Sequence, residues 1–246
     1  MKTITNHIRK LFPLIAGTGF FIALMINPLF SRGQLWPVSF DGAPSLKPAQ
    51  LEISLFGAGS YYASKMYDGT YGYTPGIRVG IGIVKNFDVK LSYARGFFDL
   101  GKLEDSRENV VGIAPKYAFL SDVLAIQVPF SVILYQPKKH SDFQENPELE
   151  VYYFLNPRFI ISLHYKKYVE FNVAPGMQIY IPGHGTDPTY FVGGNLGFAF
   201  SGNLNRWSVR PEGFIHYVIP QEGGKGSIMY GWGLSFTYNI NLIKSQ

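Results

Sequence analysis

From Gln50 onward the chain is dominated by segments in which every second residue is apolar. Through the middle of these segments the apolar side carries no charge. A period of two is the signature of a strand with two unlike faces. One series is Ile77, Val79, Ile81 and Ile83; another is Phe87, Val89, Leu91 and Tyr93. A third runs through Leu124, Ile126, Val128, Phe130, Val132 and Leu134. The last holds Ile228, Tyr230, Trp232, Leu234, Phe236, Tyr238 and Ile240.

The pattern predicts ten strands, at 50–60, 74–84, 86–97, 108–119, 123–135, 149–165, 168–181, 189–200, 207–219 and 227–241. Several reach the roughly 9–11 residues that a tilted strand needs to cross a bilayer. Connections alternate in length. Val84-Lys85-Asn86, Leu120-Ser121-Asp122, Lys166-Lys167-Tyr168 and Ser201–Arg206 are short. Tyr61–Tyr73, Asp99–Arg107, Gln136–Pro147, Pro182–Pro188 and Pro220–Gly226 are mostly longer. Short turns at one end and longer loops at the other mark an outer-membrane barrel. Asn86 is suited to the left-handed residue that a tight hairpin requires.

A soluble barrel alternates too, with its apolar side inward. Three features favour apolar outward. The charges of Glu52, Arg78, Asp88, Lys90, Lys116, Glu150, Arg158, Glu170, Arg210 and Glu212 all fall on the opposite parity. A lysine or arginine facing lipid at the midplane costs about 2–4 kcal/mol. Arg95 is the exception, near a strand end where its head group can reach water. The polar face is rich in small residues such as Gly80, Gly82, Ala94, Gly112, Ala114, Ala174 and Gly176. Rings suited to the bilayer interface lie near strand ends: Tyr93, Tyr117, Tyr135, Tyr165, Tyr168, Trp207 and Tyr238. The fold class expected is all-β, a transmembrane antiparallel up-and-down β-barrel of about ten strands.

Composition agrees. Charged residues make up only 16% of the chain and aromatic residues also 16%; a soluble domain averages roughly 25% charged. With no cysteine, disulfides and thiolate metal sites are excluded. The formal charge of +5 comes from 22 basic and 17 acidic residues. Lys2, Arg9, Lys10 and Arg32 account for most of it, so nucleic acid is not an expected partner.

Those same basic residues flank an apolar run from Leu11 to Phe30. Residues 1–33 read as a signal peptide, with a retained anchor as the alternative. Residues 34–49, containing Pro37, Pro44 and Pro48, read as an irregular periplasmic lead, and 50–246 as the barrel.

Together, the signal, the alternating strands and the last strand resemble bacterial outer-membrane β-barrel proteins. That family's C-terminal strand often carries a glycine, then an aromatic or apolar residue three and five positions on; Gly233, Phe236 and Tyr238 match. The usual terminal phenylalanine is absent, since the chain continues through Asn241–Gln246. The resemblance implies the cell outer membrane as location, and the lipid bilayer and the barrel-insertion machinery as partners.

For function, the ten inward charges balance, which predicts a neutralising lumen network. Phe56, Phe154, Phe214 and Tyr180 also point inward by parity. Ten strands lie near the size at which side chains fill the interior. The leading expectation is a largely closed barrel with a structural or surface-interaction role. Tyr61, Tyr62, Tyr67, Tyr71 and Tyr73 in the first long loop are the surface-interaction candidates. A narrow channel or transporter for small solutes is the alternative. A lipid- or peptide-modifying enzyme comes third, since His164 beside Ser162, His216 near Glu212, and loop residues His140 and His184 form no catalytic pattern. No cofactor, zinc, calcium or nucleotide motif is present.

Overall fold

The computed structural model describes residues 39–63, 70–100, 103–120, 122–136, 149–183, 187–220 and 226–242. The expected signal peptide lies outside the described residues, as do Tyr67, His140 and His184. The described chain contains twelve strand segments: β1 (Gln50–Ala63), β2 (Thr70–Val84), β3 (Phe87–Leu100), β4 (Leu103–Leu120), β5 (Leu124–Gln127), β6 (Phe130–Gln136), β7 (Glu150–Leu155), β8 (Arg158–Tyr165), β9 (Val169–Pro182), β10 (Thr189–Phe200), β11 (Trp207–Val218) and β12 (Ser227–Asn241).

These twelve segments make ten staves. β5 and β6 are one stave interrupted at Val128-Pro129, and β7 and β8 another interrupted at Asn156-Pro157. A proline has no N–H to give to a ladder. The register is nonetheless unbroken, because Gln127 pairs with Arg158 and Phe130 with Leu155. The Pro129 carbonyl accepts the Asn156 N–H, and the Pro157 carbonyl accepts the Met177 N–H. All pairings are antiparallel between chain neighbours, and β1 pairs with β12 to close the barrel.

The faces are sorted as alternation requires. Leu55, Ile77, Val79, Ile81, Leu91, Val111, Ile113, Phe159 and Ile161 are exposed on the outside; Leu91 is 58% exposed. Lys90, its sequence neighbour, is 1% exposed and faces the lumen. Outer aromatics form two rims. At the short-turn end, Tyr117 meets Phe119 and Trp207 stacks on Phe236. At the long-loop end, Tyr73 stacks on Phe97 and Tyr61 meets Tyr230. Tyr135 does not join a rim. It shares inward parity with Ile133 and sits edge-on to Tyr152.

Turns follow the expected chemistry. Asn86 has φ 68° in the two-residue turn after β2, and Lys166 has φ 54° after β8. At the long-loop end the strands outrun the sequence expectation. β1 and β2 pair as far as Tyr62 with Thr70, and β3 and β4 as far as Leu100 with Leu103. Tyr61 and Tyr73 therefore belong to the barrel wall, not to a loop.

The buried core is the lumen itself. Its long-loop half is lined mainly by apolar side chains, with Glu108 and His216 among the buried polar exceptions: Phe56, Phe191, Phe214, Val218 and Met229 form one cluster, and Val110, Ile133 and Phe154 another. Its short-turn half is charged, and it is occupied. Residues 39–49, read in the sequence as a lead outside the barrel, are folded into the lumen; Phe40, Ala43 and Leu46 are buried there. Ala43 nests among Ala118, Ala125, Ile160 and Ala174.

Candidate functional site: a charged lumen around the N-terminal segment

An irregular segment inside a barrel brings backbone N–H and C=O groups that must find partners. Residues 39–46 make no backbone pairing with any strand among the described residues. Inward side chains supply the bonds instead. Glu212 accepts the N–H groups of Ser39 and Phe40, the latter at 2.8 Å, and the Ser39 hydroxyl at 2.8 Å. Arg78 donates to the carbonyls of Ser39 (2.6 Å) and Phe40 (3.0 Å). Ser162 accepts from the Ala43 N–H at 2.8 Å, and Asp88 from the Leu46 N–H at 2.9 Å. Lys116 donates to the carbonyls of Gly42 (3.0 Å) and Pro44 (2.7 Å).

Asp41 is the hub. One carboxylate oxygen accepts from Lys90 and Lys116, both at 3.0 Å. The other accepts from Gln127 at 2.9 Å, and Gln127 in turn accepts from Arg158 at 3.1 Å. Burial alone raises the Asp41 pKa. The Lys116 and Lys90 ammoniums, with the Arg78 and Arg210 guanidiniums, outweigh it and hold the carboxyl well below its ordinary value. Lys90 also bonds Glu52 at 2.8 Å, Arg78 bonds Glu52 at 3.1 Å, and Lys116 lies 3.4 Å from Asp88. On the far wall Arg210 pairs with Glu170 at 3.1 Å. Buried charges persist only when paired and hydrogen-bonded, and here the segment's backbone completes the pairing.

Glycines make room for the segment. A Cβ at Gly42 would overlap the Glu170 carboxylate, and one at Gly82 would overlap the Lys47 carbonyl. A Cβ at Gly233 would press into the Phe40 ring. The Phe40 ring also lies 5.6 Å from that of Phe56. Among the described residues, a small cavity of about 50 Å³ is bordered by Ser39, Phe40, Arg78, Arg158, Ser131 and Phe154 among others.

Of the ten charges expected in the lumen, nine line the half occupied by the segment. Glu150 does not: it stands at the long-loop end, where it accepts the Tyr152 hydroxyl. Its place in the balance is taken by Asp41, a lone acid in an otherwise uncharged stretch from Gln34 to Leu46. Sequence reading also passes over Glu108, which its parity with Val110 places inside. The Ser162 hydroxyl donates to Glu170 at 3.0 Å, and His164 lies 3.6 Å from the same carboxylate. His216 meets Gln178 and Asn195. Neither group forms a serine–histidine pair, and no metal-binding cluster is found among the described residues. Side chains of Tyr62 and Tyr71 lie outside the described atoms.

No protein-family model matches the chain, and no curated protein does. Among solved structures it is similar to the translocator domain of the autotransporter NalP from Neisseria meningitidis, at 9% identity and TM-score 0.45, over 78% of this chain and 89% of that one. It is also similar to an outer membrane channel from Pseudomonas putida F1, at 8% identity and TM-score 0.42, over 84% of this chain and 100% of that one. A third is the outer membrane protease OmpT from Escherichia coli, at 8% identity and TM-score 0.34, over 82% and 100%. Likenesses this distant carry no argument about role, and the fold rests on the strand pairing itself. By that pairing and by its apolar outer face, the chain has the architecture of an outer-membrane β-barrel: closed, antiparallel, up-and-down and ten-staved.

Proposed function

We propose that this is an exported outer-membrane barrel whose own N-terminal segment closes the lumen, and that its role is structural or surface-interacting rather than conductive. The observation that carries this reading is Asp41 bound at once to Lys90, Lys116 and Gln127, from three successive staves. A segment so held fills the charged half of the lumen, while phenylalanines fill the other. Outside, the uncharged Ile, Val and Leu belt between two aromatic rims suits hydrocarbon flanked by headgroups. Residues 1–33 serve as the export signal in this reading. Phe236 and Tyr238, exposed on the terminal strand, are the features offered to the insertion machinery. Tyr61 and Tyr73 supply rigid contact area at the outer rim.

Single-channel recording of the purified full chain in planar bilayers tests closure. The expected record shows no stable conductance steps; large, stable steps in the unaltered protein would defeat the proposal. A second reading, a narrow solute channel, draws on one observation: the segment is held by side-chain bonds and not by strand pairing. It predicts small steps that grow when Arg78→Ala removes the clamp on Ser39 and Phe40.

A further inference from the structure

The long-loop end of the lumen holds two acids and no described cation. Glu108 (β4) pairs across the ladder with Tyr135 (β6), and Tyr135 pairs with Glu150 (β7). The row therefore spans three adjacent staves. All three residues have the inward parity of Val110 and Ile133. Glu108 is 5% exposed and makes no hydrogen bond or ion pair among the described residues. Among the described residues Glu150 receives only the Tyr152 hydroxyl. Beside them the Tyr152 and Tyr180 rings stack with centroids 5.0 Å apart, and Tyr135 meets Tyr152 edge-on at 6.2 Å.

We propose that this cluster is a binding site for a small organic ammonium, best a short diamine, entering from the long-loop side. A buried carboxylate without a partner is costly, and the cost falls when a cation arrives. Aromatic faces select the kind of cation, because ring quadrupoles attract weakly hydrated ammonium groups. Two steps across the sheet, about 9–10 Å, separate the backbones of Glu108 and Glu150. That spacing suits a ligand with a charge at each end. Val110, Ile133 and Phe154 close the floor, so the ligand stops here and goes no deeper. The nearest lumen cations, Arg78 and Arg158, are committed to the N-terminal segment and to Gln127 on the other side of that floor. The site does not depend on whether the barrel conducts.

The test is calorimetric titration of putrescine into the full chain, folded in detergent micelles, at low and moderate salt. Saturable binding is expected, weakened about tenfold or more, or about 1.4 kcal/mol, by Glu108→Gln and by Tyr152→Leu. Heat-modifiable gel mobility confirms that both variants still fold as barrels. Binding also falls as the pH is lowered, because the carboxylates must be charged. Three results would overturn the proposal. One is no saturable binding, as when Lys138 or Lys139 of the 137–148 connection already neutralises the acids. Another is unchanged affinity in Glu108→Gln. The third is displacement by equimolar calcium, which would make this an inorganic cation site.

Discussion

Phe40 has φ 48°, a left-handed conformation that bulky side chains adopt only under constraint. The constraint is local: Glu212 grips its N–H, Arg78 its carbonyl, and Phe56 its ring. The strained residue turns the chain so that its neighbour, Asp41, faces Lys90 and Lys116. Asp41 then links segment anchoring to pH. Its folded pKa lies below the unfolded value, so its contribution is fully present above about pH 4 and is lost as the pH falls through the still lower folded value. With no native cysteine, a single Ser45→Cys substitution reports on the segment through its maleimide labelling rate. Labelling is expected to stay slow from neutral pH to about pH 4 and to rise only in stronger acid, read by returning acid-pulsed samples to labelling buffer. In an Asp41→Asn background it should be fast already at neutral pH, because removing one partner of a buried ion pair costs about 3–5 kcal/mol. Equal rates in the two backgrounds would remove Asp41 from the centre of the network.

At the scale of elements, the middle of each strand was legible and its long-loop end was not. Lipid outside and a lumen inside impose opposite demands on alternate residues, and that contrast writes Ile77, Val79 and Ile81 against Arg78 and Gly80. Beyond the bilayer the outer face meets water, so alternation fades while pairing continues, as from Tyr61 with Tyr71 to Tyr62 with Thr70. The breaks at Pro129 and Pro157 leave the register unchanged, which is why a single strand through each was the natural reading. Inward charges were legible by parity alone. The hub was not, because residues 39–49 have no period and their partners lie far along the chain. Gly82 shows how the wall accommodates them: it lies under the Lys47 carbonyl, and the preceding inward glycine of the strand, Gly80, sits against Leu46 and Lys90. Gly82→Val should therefore displace the segment and leave β2 paired with β1 and β3. Overpacking of this kind costs about 1–3 kcal/mol. The expected result is faster Ser45→Cys labelling with unchanged heat-modifiable mobility. Loss of the compact band would mean that β2 itself had failed.

At the scale of the whole molecule, two stabilising systems share one wall and should fail separately. The outer one is the closed ladder in lipid, with β1 and β12 aligned from Gln50 against Asn241 to Ala63 against Ile228. The inner one is the network of buried ions and backbone groups around residues 39–49. Neighbouring residues of one strand belong to different systems: Leu91 faces out and Lys90 faces in. Leu91→Arg places a charge on the lipid face between Val79 and Ile113, its partners across the sheet. It should lower barrel stability in denaturant-folding assays into vesicles by about 2–4 kcal/mol and leave Ser45→Cys labelling of the folded fraction unchanged. Lys90→Met should do the reverse. It leaves Asp41 and Glu52 short of a cation and speeds labelling, while the lipid face and the ladder are untouched. Leu91 and Lys90 are adjacent in one strand and share every long-range influence, so opposite outcomes at the two positions require a wall with two chemically distinct faces. If both variants shifted stability and labelling together, the barrel and its N-terminal segment would form one cooperative unit, and the segment would belong to the fold rather than close it.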